Sequence, residues 1–152
     1  MADFEFLSAD DKPALTAIQN DEWRAKVDGV LQELGYVVHN VEDHEKFPSQ
    51  FAQASYEVMV IEDAFGGGSV EENKTLETIQ LMQMNLRRHC TFLLIGSAFE
   101  TMSPMQGYRQ SVHAVVNPAE IENIKPLMQK VIGDNEAFLR TFFDVQQKQN
   151  ES

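Results

Sequence analysis

The chain has 152 residues, 43% of them hydrophobic, with 24 acidic against 12 basic side chains. That is one domain with a real core, too apolar for a disordered chain. No apolar run nears the ~20 residues that cross a bilayer, the acidic start Met1-Ala2-Asp3-Phe4-Glu5 lacks the character of a signal peptide, and the single cysteine, Cys90, makes neither an internal disulfide nor a zinc knuckle.

Residues 1–12 read as an acidic lead-in, closed by the turn-like Asp10-Asp11-Lys12-Pro13. Residues 13–18 form a short apolar run, read as a buried strand with helix as the competing choice. Asn20 has the character of an N-cap, followed by Asp21 and Glu22 in the first turn. Trp23, Val27, Val30, Leu31 and Leu34 then recur at helical spacing, and Gly35 closes that helix. Tyr36-Val37-Val38-His39 reads as a second strand. Asn40 to Ala54 reads as a short helix, interrupted or shortened by Pro48.

Residues 56–61 are almost continuously apolar, as a strand covered on both faces must be. Gly66-Gly67-Gly68 is a loop, and Ser69-Val70-Glu71-Glu72 has capping-box spacing and opens a helix to about Arg88. Residues 91–95 read as a fourth strand. Ser103-Pro104 begins a short helix to about Gln110, and residues 112–116 read as a fifth strand. Asn117-Pro118 opens a further helical stretch, irregular at Pro126 and ending at Gly133-Asp134. A last helix, about 135–149, carries Phe138, Leu139, Phe142 and Phe143.

Strand and helix thus alternate five times, with one extra helix. The pattern predicts a flavodoxin-like three-layer α/β/α sandwich on a five-stranded parallel sheet, order 2-1-3-4-5, with an extra C-terminal helix. The organisation expected is a lead-in over 1–12, a domain over 13–132 and a helical extension over 133–152.

Leu31-Gln32-Glu33-Leu34-Gly35-Tyr36-Val37-Val38 resembles the first helix end and second strand of response-regulator receiver domains. Residues 56–62 resemble their third strand, which ends at the phosphoacceptor aspartate, and Asn117-Pro118 stands where receivers carry Lys-Pro. Residues 87–96, 99–102 and 111–117 resemble a little-characterised bacterial family of receiver-like domains, often found behind a zinc-ribbon segment. The resemblance implies two-component signalling by contact with other proteins.

The residues that transfer phosphoryl groups in receivers are replaced. The acidic pair after the first strand becomes Gln19-Asn20-Asp21, the acceptor position falls on Glu62, the hydroxyl position is Gly96 or Ser97, and the lysine position is Asn117. Phosphoryl transfer relies on positioning and charge neutralisation. These departures imply a degenerate, phosphorylation-independent pseudo-receiver without enzymatic activity or cofactor. The alternative is a divergent phosphoacceptor that uses Asp63, or Glu62, with a divalent cation. Asp21, Glu62 and Asp63 are the candidate cation ligands.

The histidines His39, His44, His89 and His113 have no metal-ligand spacing, and Cys90 reads as buried and inert. Met102, Met105, Tyr108, Phe138 and Phe142 are the candidate interface, for another protein or a second copy of this chain. The net charge of −12 argues against nucleic acid. Residues 1–72 hold 16 acids and 4 bases, whereas residues 73–152 hold eight of each. A solvated acidic face on the front half is therefore expected, with a cytoplasmic address and no membrane partner.

Overall fold

The computed structural model describes residues 10–150; residues 1–9 of the acidic lead-in lie outside that range. Five parallel strands form one sheet in the order β2-β1-β3-β4-β5: β1 Lys12–Ala17, β2 Tyr36–Asn40, β3 Val58–Glu62, β4 Thr91–Ile95 and β5 Ala114–Val116. The predicted flavodoxin-like sandwich is what the chain adopts. Side chains alternate across β3, so Val58 and Val60 join one core layer and Met59 and Ile61 the other. Both faces are buried, which explains the unbroken apolar run.

The first layer is closed by α1 (Asp21–Glu33) and by Ile124, Met128, Val131 and Ile132 of α6 (Ile124–Asn150). Phe47 of α2 (Phe47–Ala52) and Leu76 and Ile79 of α3 (Lys74–Leu81) close the second. The short α4 (Met84–Arg87) and α5 (Pro104–Gln110) complete the helices. Asn20 caps α1 through Oδ1, which accepts from the Trp23 amide at 3.0 Å. Gly35 then turns with φ +93°, the left-handed region open to glycine.

Three expectations are corrected. The helix expected from Asn40 begins only at Phe47, because the Val41 amide is drawn back to the Thr16 carbonyl at 2.8 Å, extending the sheet contacts. The helix expected over residues 69–88 is a 3-10 turn at Val70–Glu72, then α3 and α4, with extended backbone at Met82 and Gln83. Arg87 Nη1 donates to the Ile79 carbonyl at 2.9 Å, the acceptor that Gln83 would need to continue α3.

The third correction is at Gly133, where no helix ends: α6 runs unbroken for 27 residues. Pro126 sits in its first turn, where its missing amide costs nothing. Gly133 is held on both sides, by buried Ile132 and by Asn135, whose Nδ2 donates to Thr91 Oγ1 at 2.9 Å. No helix among the described residues is long and apolar enough to cross a membrane.

Candidate functional site: the carboxyl rim of the sheet

The carboxyl ends of β1 and β3 meet the first turn of α1, and Glu62 is the residue they converge on. It is the last residue of β3, it is 7% exposed, and its Oε1 accepts from the backbone amides of Gln19 at 2.7 Å and Asn20 at 2.9 Å. An aspartate, one methylene shorter, would fall short of these donors. The amides stand at the N-terminus of α1, where the helix dipole also favours negative charge. The carboxylate therefore fills an anion nest built by its own chain.

The other rim groups divide between loop-tying contacts and solvent. Gln19 Oε1 accepts from the Gly66 amide at 2.8 Å, which ties the first βα loop to the glycine loop. Asp21 is turned away, paired with Arg24 at 2.7 Å on the solvent side. Asn117 ties two loops: Nδ2 donates to the carbonyls of Phe99 at 2.9 Å and Ser97 at 3.2 Å, and Oδ1 accepts from the Ala119 amide at 2.9 Å. Ser97 itself is exposed.

Asp63 lies across the end of β4. Its amide donates to the Ile95 carbonyl at 2.9 Å, and its carboxylate rests over Gly96. Burial raises its pKa above the ordinary aspartate value; the Ala64 amide opposes the shift and the Glu62 charge adds to it. Among the described residues, no three His, Cys, Asp or Glu side chains are grouped so as to hold a metal ion.

Two contributors are not singled out by sequence reasoning. Asn73, 1% exposed, donates through Nδ2 to the carbonyls of Glu62 at 2.9 Å and Asp63 at 3.2 Å. Its Oδ1 caps α3 at the Leu76 amide. The capping-box spacing draws attention to Ser69 instead, whereas Asn73-Lys74-Thr75-Leu76 is an equally valid cap signal four residues later. His44 is the second: its Nδ1 meets Thr75 Oγ1 at 2.8 Å and accepts from the Thr75 amide at 3.2 Å. Its ring covers Gly66, where a Cβ would collide with Nε2.

The remaining singular side chains are structural. Tyr56, its phenol pushed up to about 12 by burial, lies 2.7 Å from His39 Nδ1. Cys90 is buried, and its thiol pKa is raised by desolvation. His113 Nδ1 accepts from the Phe92 amide at 2.9 Å. Of the interface candidates, Tyr108 is 83% exposed, Met105 65% and Phe138 63%. Phe142 is half-buried beneath Arg88, whose guanidinium sits 4.6 Å from its ring centre. Met102 is half-buried and packs against the first core layer. Tyr108, Phe138 and Phe142 share a groove of about 810 Å³ with Met82, Met84 and Leu139.

No protein-family model and no curated protein sequence matches this chain. Solved structures do. The chemotaxis response regulator CheY4 of Vibrio cholerae aligns with a TM-score of 0.58 at 14% identity, over 80% of this chain and 98% of that one. The receiver domain of the sensor histidine kinase PA1611 from Pseudomonas aeruginosa aligns with a TM-score of 0.59 at 16% identity, over 81% and 98%; that structure has a magnesium ion in its active-site cleft. A Burkholderia pseudomallei response regulator with a phosphorylated aspartic acid aligns with a TM-score of 0.59 at 17% identity, over 84% and 72%. The chain has the CheY-like fold of response-regulator receiver domains.

Proposed function

We propose that this chain is a phosphorylation-independent receiver-like module that signals through protein contacts and catalyses no reaction. The observation that carries the reading is the pair of hydrogen bonds from the Gln19 and Asn20 amides to Glu62 Oε1. A phosphoacceptor must present a free carboxylate oxygen to the donor phosphorus, beside a cation that neutralises developing charge. Here one of the two carboxylate oxygens, Oε1, is engaged by the chain's own backbone in a side chain only 7% exposed, and the first βα loop offers amide side chains in place of metal-ligating carboxylates. Hard cations of the magnesium type favour carboxylate oxygens, and Asp21 is exposed and paired with Arg24. The rim is thus held in one state by an internal negative charge.

The reading is tested with beryllofluoride and Mg²⁺, following the amide resonances of residues 60–66. Absence of saturable, localised shifts is expected. An intact mass unchanged after acetyl phosphate treatment is expected as well. A gain of about 80 Da, the mass of one phosphoryl group, that is lost in Asp63→Asn would overturn the proposal in favour of an active acceptor.

A further inference from the structure

We propose that His44 is a proton-operated latch on the glycine loop of the rim: its neutral ring holds the loop against the start of α3, and protonation releases it. This gives the contact module proposed above an input that needs no phosphoryl donor, and it rests on that reading only for what the input controls. Two side chains from different elements cap α3. Asn73 Oδ1 takes the Leu76 amide at 3.0 Å, and His44 Nδ1, from the turn after β2, takes the Thr75 amide at 3.2 Å. An amide only donates, so the bonded ring is neutral and carries its proton on Nε2. A proton added at Nδ1 sets donor against donor. The Thr75 hydroxyl, 2.8 Å from Nδ1, can turn to accept, but the amide cannot. Thr75 is fully buried, so a protonated ring left in place deprives that amide of any acceptor. The new positive charge would also stand at a helix N-terminus, where the dipole opposes it. Both effects favour the ring swinging out to water.

The segment under the ring has little hold of its own. Gly66, Gly67 and Gly68 have φ of +83°, +86° and +88°, and successive glycines lose the most chain freedom when ordered. The ring lies over Gly66 and edge-on to Phe65, 5.3 Å between centres. The Gly66 amide reaches across to Gln19 Oε1 at 2.8 Å. Release of the ring therefore frees the loop on its Gln19 side, while Glu62 keeps its own two amides. The charged groups on the surrounding elements are engaged elsewhere or solvated. On the histidine's own turn, Asp43 accepts from the Lys46 amide at 2.9 Å and Glu42 pairs with the Lys46 ammonium. On the loop, Asp63 rests over Gly96 and Glu72 accepts from the Ser69 hydroxyl at 3.0 Å. Glu45, Glu71, Lys74 and Glu77 are exposed. Among the described residues, none of these charges is hydrogen-bonded to the His44 ring, whose bonded partner is Thr75. His113 makes the same kind of bond to the Phe92 amide, but desolvation and then the Arg87 charge lower its pKa, so its ring stays neutral further into acid.

A nuclear magnetic resonance titration of the full chain between about pH 8 and pH 5, the interval in which histidines ordinarily change charge, tests this. The Thr75 and Gly66 amide resonances are expected to move with the midpoint read from the His44 ring itself. His44→Asn keeps an acceptor in the place of Nδ1 and does not titrate, so both amides should hold their high-pH positions throughout. His44→Ala should leave the amides of Gly66, Gly67 and Gly68 exchanging rapidly at either end of the range. A His44 ring that stays neutral to the end of the titration, or one that titrates while Thr75 and Gly66 stay fixed, overturns the latch, as does unaltered movement of both amides in His44→Asn. The latch and the blocked rim fail separately. A fixed loop beside a silent rim removes only the first, and a rim that takes beryllofluoride at pH 8, the start of that interval, removes only the second.

Discussion

The carboxylate of Asp63 occupies the space where a side chain on Gly96 would begin: a Cβ there would lie 2.5 Å from Asp63 Oδ2 and 2.8 Å from the Phe99 ring. The missing methyl at the end of β4 and the acid at the end of β3 are one arrangement. Gly96→Ala is expected to destabilise the fold by about 1–3 kcal/mol through overpacking. Asp63→Ala in the same chain should recover part of that loss, leaving the Phe99 contact. Denaturant unfolding of the two single variants and the double variant gives the coupling.

Asp63 also sets a pH dependence. Its folded pKa is raised above the unfolded value, so the folded state binds that proton more tightly. The stability this contributes is present below the unfolded aspartate pKa and is lost as pH rises through the folded one. Asp63→Asn should therefore stabilise the protein at neutral pH, with the advantage shrinking as pH falls towards the ordinary aspartate range. Thermal unfolding of both proteins between pH 3.5 and pH 7, spanning the interval on either side of that range, checks the sign; a constant difference would contradict it.

Removing the Glu62 carboxylate leaves the Gln19 and Asn20 amides without their acceptor. Glu62→Ala is expected to cost about 1–3 kcal/mol, the range for buried donors left unpaired. Glu62→Asp keeps the charge but draws it back by one methylene, so it should recover little of the loss. Amide resonances of Gln19 and Asn20 should move most in both variants.

Arg87 makes a comparable prediction on the opposite rim. It donates to the Ile79 carbonyl at 2.9 Å and the Ser111 carbonyl at 2.6 Å, with its guanidinium 4.8 Å from the Phe92 ring centre. Arg87→Met keeps most of the packing and removes both donations. A loss of about 2 kcal/mol is expected, in the range for charged hydrogen bonds, and hydrogen exchange should show faster opening at the end of α3.

The sheet was legible because its chemistry is local. Val58-Met59-Val60-Ile61 declares burial on two faces, Gly35 declares a helix end by its left-handed backbone, and Ser103-Pro104 declares a helix start by its capping hydroxyl and fixed proline φ. Glu62 was legible as a rim residue by its place at the end of that run. What it touches was not, since Gln19 and Asn20 donate through backbone atoms that carry no side-chain signature. Gly133 misled for the opposite reason: its intrinsic cost of about 1 kcal/mol in a helix is a local signal, and the Asn135–Thr91 bond that overrides it joins residues 44 positions apart. The break at Met82 likewise depends on Arg87 reaching back to Ile79.

The continuity of α6 through Gly133 makes the domain and its projecting half a single stiff rod. Its first turns are clamped between α1 and the sheet, so any change in the seating of Ile124 or Met128 swings the far end as a lever. Over the roughly 22 Å beyond Asn135, a tilt of about 5° sweeps the tip through about 2 Å. A slight repacking inside the globule is thus amplified at the exposed Phe138 and Val145.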